Sequence, residues 1–282
     1  MLARLFAIFL FLFATALPGH AINIRWDFSL DTGNFWTAER RLVLDYAAQQ
    51  FAGYTLTTPD WSAFEPYVKF EVNLEDPITP DAVWQEMFPQ NQTLTIYVGA
   101  SDLGERTLGM AMIPESRYTI LDERGAGFGE ALQSTNTNTV FQPYVGLLYA
   151  TTRYTFYSGL DDTVPAEEFD LFSMVVHELG HILGIGMSNA WYAHVVDGRF
   201  MGENVLSIIG AEGLELTGED FAHLPEGYNM GKGAAGHRFY FSEVEYAILR
   251  DLGYQSIPEP SAAWLVPGGA ALLYRRRFAR RR

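Results

Sequence analysis

Five consecutive residues, His177-Glu178-Leu179-Gly180-His181, bring two imidazoles and a carboxylate into one short stretch. On a helix, residues four apart share a face, so both rings can reach a single ion. Imidazole nitrogens in such a pair suit zinc. Glu178 stands beside the first ring, where a carboxylate can take a proton from a water that the ion has acidified to a pKa of about 7. Val175, Val176, Leu179, Ile182 and Leu183 surround the motif with the apolar context of a buried metal-binding helix. Two metal-free histidines on such a helix would need neither this spacing nor the adjacent glutamate.

A catalytic zinc takes a third protein ligand. Besides the pair, the chain beyond residue 21 holds His194, His223 and His237. At this point the residues resemble a family. His177-Glu178-x-x-His181-x-x-Gly184 matches the opening of the metzincin signature, in which the glycine lets the chain leave the helix. Compact metzincins carry their third histidine three residues further on. Here Met187 stands at that place, and a thioether is a poor zinc ligand, so the resemblance implies a ligand further along the chain. His223 is the first choice. Met230 follows it by seven residues, in Tyr228-Asn229-Met230-Gly231, which looks like the methionine turn that floors the metzincin metal site. On this reading 36 extra residues separate 187 from 223, an insertion of the kind leishmanolysin-like members tolerate. His194 is the runner-up ligand, and His237 is expected to be structural. A thermolysin-like arrangement would draw on Glu243 or Glu245, although Glu245 already has a capping role. Astacin-type and serralysin-type enzymes place a tyrosine two residues past the turn methionine. Lys232 stands there, so no tyrosine ligand is expected.

The elements that must position these groups are partly readable. Residues 22–28 and 93–98 read as strands, and 67–74 alternates apolar and polar residues as a half-buried strand does. Residues 145–157 are rich in β-branched and aromatic residues and read as one strand. Residues 37–51 carry Leu42, Leu44, Tyr46, Ala47 and Phe51 near helical spacing. Glycine-rich 124–129 and the Ser/Thr/Asn run 134–139 read as loops. A long helix is expected over 167–185, acidic at its start as the helix dipole favours. Nearly fifty glycine-studded residues follow it. A final helix over 242–252 has a capping box in Ser242 and Glu245, and Gly253 where a helix ends. Strands, a central helix, loops and a terminal helix predict an α+β fold. The resemblance makes this metzincin-like, with an N-terminal mixed sheet, a metal-binding helix and a loop-rich C-terminal subdomain. Phe169-Asp170-Leu171-Phe172 and Leu249-Arg250-Asp251-Leu252-Gly253-Tyr254 also resemble bacterial matrixin-like proteins.

Both ends read as processing signals. Arg4, an apolar run over 5–16 and small residues up to Ala21 form a secretory signal peptide over 1–21, cleaved after Ala21. The run is shorter than the ~20 residues of a spanning helix. At the other end, Pro258-Glu259-Pro260, a short apolar segment and the basic cluster Arg275–Arg277 with Arg280–Arg282 follow in order. A segment of this kind ended by arginines reads as a stop-transfer element. Residues 258–282 resemble the PEP-CTERM sorting signal of Gram-negative bacteria. That resemblance implies transient membrane insertion, recognition by an exosortase-type processing enzyme, and export across the inner membrane to the cell surface or beyond. Residues 22–257 are then one domain of ordinary size.

Seven of the 19 basic residues and one of the 34 acidic ones lie in these two ends, so the body between them carries a formal charge of −21. So acidic a body repels nucleic acid and anionic lipid. Some carboxylates could bind calcium, although no 12-residue calcium loop is present. With no cysteine in the chain, disulfides, thiolate ligands, cysteine nucleophiles and a cysteine-switch form of latency are all excluded. Two functions follow. One is a zinc endopeptidase acting on a protein or peptide laid along a sheet edge, expected within 145–157. The other is a surface or biofilm-matrix protein that keeps a metalloprotease fold as scaffold, with weak catalysis or none.

Overall fold

The computed structural model describes residues 21–257, apart from 76, 78–82 and 219. The expected leader up to residue 20 and the expected sorting tail from Pro258 lie outside the described residues. The chain has a mixed α+β architecture. It begins with β1 (Asn23–Asp27), α1 (Ala38–Ala48), β2 (Tyr54–Thr55), β3 (Val68–Asn73), β4 (Trp84–Glu86) and β5 (Thr93–Ser101). Then come β6 (Gly109–Met112), β7 (Ser116–Ile120), α2 (Phe128–Gln133), β8 (Val145–Thr151), β9 (Phe156–Tyr157), β10 (Phe169–Asp170) and α3 (Leu171–Ile182). The last third holds α4 (Asn189–Ala193), β11 (Val195–Val196), β12 (Arg199–Phe200), α5 (Glu203–Ile209), β13 (Leu214–Glu215), α6 (Glu243–Asp251) and β14 (Gln255–Ser256).

The central sheet runs β1-β5-β8-β6. β1, β5 and β8 are parallel, and β6 closes one edge antiparallel to β8. Parallel strands need cover on both faces, and β8 is buried along its whole length. Side chains alternate between the faces. Leu94, Ile96, Val98, Leu148 and Ala150 join the larger core with α1 and α3. Tyr97, Val145, Leu147 and Tyr149 join a second core with Trp61, Phe70 and Phe128, under the small sheet β4-β3-β7. The result is helices, sheet, and an aromatic layer capped by a second sheet.

Several expectations are corrected. Residues 145–157 form two strands, β8 and β9, with a break between them. Both neighbours of β8 are filled, so the expected substrate edge cannot lie along it; the edges of this sheet are β1 and β6. The helix expected over 167–185 starts only at Leu171, because the Asp170 carboxylate accepts from the Ser173 N–H and caps it. Glu167 and Glu168 therefore precede the helix. Residues 124–129, read as loop, contain a 3-10 turn over Glu123–Gly125 and the start of α2. The capping box at Ser242 and Glu245 forms as expected. Among the described residues no helix is long and apolar enough to cross a membrane.

Candidate metal centre

His177 and His181 lie one turn apart on α3, which packs against β6, β8 and α1. The helix ends in a Schellman motif. Gly184 takes a left-handed φ of +106°, its N–H donates to His181 O, and the Ile185 N–H reaches back to Gly180 O at 3.1 Å. This cap has a second effect. It turns Ile185 O toward the His181 ring, whose Nδ1 donates to it at 2.8 Å. The His177 Nδ1 likewise donates to Asn229 O at 2.8 Å. A carbonyl only accepts, so both rings carry their proton on Nδ1 and keep a lone pair on Nε2. The two Nε2 atoms face each other 3.1 Å apart.

The insertion brings in the third ring. After Gly186 (φ +73°), whose backbone packs too closely on Ala222 to leave room for a Cβ, the chain turns away from the helix. It returns where Thr217 and His223 form an antiparallel bridge, with Thr217 N to His223 O at 2.8 Å. The His223 ring centroid lies 5.4 Å from that of His177 and 5.0 Å from that of His181. One nitrogen from each of the three rings lies within 4.8 Å of the others. Two bare imidazole lone pairs pointed at each other repel unless a cation lies between them. A tetrahedral zinc with bonds of about 2.05 Å would hold two nitrogens roughly 3.3 Å apart. The donor set therefore suits such a cation.

Burial pushes the His177 ring down to about 3 and His181 down to about 4, and it lowers His223 as well. The negative charge of Asp220 pulls His181 and His223 the other way. All three rings stay neutral, the form a metal takes. Glu178 points into the core beside β6 and is only 5% exposed. Burial drives its carboxyl up to about 8, and the Ala111 N–H on β6 opposes that rise. β6 comes this close because residue 109 is glycine: a Cβ there would lie 2.6 Å from Glu178 Oε1.

Met230 is fully buried beneath α3, and Gly180 leaves no room for a Cβ above its sulfur. The turn around it is held from α6. Glu245 Oε1 accepts the Met230 N–H at 2.7 Å, while Oε2 accepts the Ser242 N–H at 2.7 Å. Both oxygens are thus used in holding the turn and the cap, and Glu245 is not part of the histidine cluster. His194 caps α4 with its ring bonded to Asp251 O at 3.1 Å, away from the cluster. His237 is exposed and packs edge-on near Phe239. Met187 is exposed, and neither it nor Glu243 joins the cluster. The sequence reading missed the carbonyls of Asn229 and Ile185 and the strand β6. The Gly184-Ile185 pair after a helical run was a readable signal for one carbonyl. A four-residue strand without alternation left none for β6.

No family model, no curated protein and no solved structure matches this chain.

Proposed function

We propose that the chain is an exported zinc-dependent endopeptidase of metzincin type, with His177, His181 and His223 as ligands and Glu178 as general base. The observation that carries the reading is the set of three neutral imidazoles converging beside a buried carboxylate. A zinc ion held there would supply Lewis acidity toward a peptide carbonyl and toward water. The carboxylate of Glu178 takes the proton of the attacking water and returns it to the leaving amine. In the metal-free chain burial holds this carboxyl up at about 8, which suits the return of the proton; a cation at the three histidines would draw it down toward the ionised form that the first half needs. The free edge of β6, next to Glu178, offers backbone groups to an extended peptide. Met230 and its turn form the floor of the site. Lys232 stands where some metzincins have a tyrosine, so no phenol from that position serves the oxyanion. Export through residues 1–21, and sorting through residues 258–282 by an exosortase-type enzyme, belong to the same proposal.

The test measures zinc content and hydrolysis of an unfolded protein by the wild type, Glu178→Gln and His223→Ala. The expected result is one zinc per chain, retained in Glu178→Gln and lost or much weakened in His223→Ala. Hydrolysis should fall by about 10²–10⁴ in Glu178→Gln. A wild type that holds zinc but cleaves no faster than Glu178→Gln would favour the scaffold protein instead.

A further inference from the structure

We propose that Arg238 is a positioning residue for the metal centre, holding the His177 ring through a buried chain made by Asp170, Ser173 and Asn229. The proposal rests on reading the three histidines as metal ligands. Arg238 and Asp170 are an ion pair with side chains 1% and 0% exposed. The guanidinium grips the carboxylate with a fork, Nη2 to Oδ1 at 2.7 Å and Nε to Oδ2 at 3.0 Å, and Nη2 also donates to Gly159 O at 2.8 Å. Its Nη1 is buried and makes no hydrogen bond of good geometry, with the Asp162 carboxylate 3.9 Å away. A buried ion pair with an unsatisfied donor is a weak source of stability. A specifying role explains its presence better than a stabilising one.

The fork fixes where the chain at 238–239 meets the start of α3. Asp170 Oδ2 accepts from the Ser173 N–H and hydroxyl, at 3.0 and 2.6 Å. Ser173 Oγ in turn accepts the Phe239 N–H at 2.7 Å. These bonds set Ser173 O beside Phe239 O, and the Asn229 side-chain amide donates to both, at 3.0 and 3.1 Å. Asn229 O then receives the Nδ1–H of His177. Ser173 and His177 are one turn apart on α3, so the helix is tied to the 229–230 turn twice, once through each residue. His181 has no share in this chain, because its carbonyl partner belongs to the helix's own C-terminal cap. The two zinc-facing rings of one helix are thus held by separate devices, and only one of them runs through Arg238.

The experiment uses the full chain carrying Asp170→Ser together with Arg238→Met. Serine keeps an N-cap for α3, and removing both charges at once strands neither. Three quantities are read: zinc affinity, the visible spectrum of the cobalt-loaded protein, and proton exchange at the two imidazole Nδ1–H groups in the metal-free protein. The expected result is a tenfold or greater loss of zinc affinity, as outer-shell changes typically cause, with an altered cobalt spectrum. The His177 Nδ1–H should exchange faster while that of His181 keeps its rate. Arg238→Lys, which keeps the charge but loses the fork, should fall between. A lower melting temperature with unchanged zinc affinity and unchanged His177 exchange would overturn the proposal and leave the pair purely structural. A wild type that binds neither zinc nor cobalt overturns the metal reading instead; the exchange rates of His177 and His181 still decide whether Arg238 positions the ring.

Discussion

The two faces of the central sheet solve the same burial problem with different chemistry. On one face, Phe128 sits fully buried among the rings of Trp61, Phe64, Phe70, Phe88 and Tyr118, with centroids 5.2–5.8 Å away. That layer is apolar packing and edge-on aromatic contact, and it asks nothing of any distant residue beyond volume. On the other face, α3 buries Glu178, His181 and Asp170, the last paired with Arg238, within the larger core. Each of those groups is held by a named partner: Ala111 N, Ile185 O, or the opposite charge. The aromatic face supplies stability, and the helix face spends some of it on placing polar groups that packing alone would expel.

Phe128→Ala probes the first face and should give the largest loss. Removing a fully buried phenylalanine costs about 3–5 kcal/mol, measured as the shift in a urea unfolding curve. Zinc affinity of the molecules that remain folded should be unchanged, because the sheet stands between the cavity and the histidines. A fall in affinity parallel to the fall in stability would show that the faces are not separable.

The same contrast governs what could be read from the sequence. His177, Glu178 and His181 stood out because their chemistry is tied to residue type and to helical spacing; His223 was singled out only through the family resemblance and its distance from Met230, with His194 as the alternative, and α6 was legible through Ser242, Glu245 and Gly253. The start of α3 was placed too early because Glu167 and Glu168 suit the positive end of a helix, although Asp170 is the N-cap type among these residues and caps the helix. The 145–157 stretch looked like one strand because β propensity reports local fit to a pleated surface and not where a ladder ends. The partners of the rings were missed for a further reason, although Gly184-Ile185 hinted at one of them. Asn229 O and Ile185 O are backbone groups, and sequence does not show where a backbone carbonyl will point. The aromatic face had no motif at all: Trp61, Phe88 and Phe128 come from three separate segments, and only folding gathers them.

Titration should separate the faces next. In the metal-free protein, His177 and His181 have folded-state values of about 3 and about 4, below the ordinary 6.5. Their contribution to stability is complete above pH 6.5 and is lost as pH falls toward 4 and 3. Glu178, raised to about 8 from 4.5, behaves oppositely: its contribution is complete below pH 4.5 and is lost as pH rises through 8. Between pH 5 and pH 8 the metal-free wild type should therefore fall by a few kcal/mol relative to metal-free Glu178→Gln, while the histidine contribution rises alike in both up to pH 6.5. Phe128→Ala should follow the wild-type pH curve at a constant offset, since burial moves Tyr144 of that layer upward, away from this range. Chemical denaturation of the three proteins in a chelator at pH 5, 6.5 and 8 makes the comparison. Parallel curves for wild type and Glu178→Gln would mean that Glu178 is solvated and not held in the core.

The smallest effect on stability, and the sharpest test of placement, is expected at Gly180. Alanine there favours the helix by roughly 0.5–1 kcal/mol, but its Cβ overlaps the Met230 sulfur. Overpacking of this kind costs about 1–3 kcal/mol, so the helix gain offsets part of it and leaves a net loss of about 0–2.5 kcal/mol. No such offset operates at the histidine cluster. Displacing Met230 shifts the turn that also carries Asn229, and with it the carbonyl that orients His177. Gly180→Ala should weaken zinc binding several-fold while lowering the unfolding midpoint by less than Phe128→Ala does. Met230→Ala in the same chain should recover most of that affinity by making room for the new methyl, which gives a non-additive pair. Additive losses would show that the new methyl does not act through Met230, and that the close approach of Gly180 to its sulfur does not help to place Asn229.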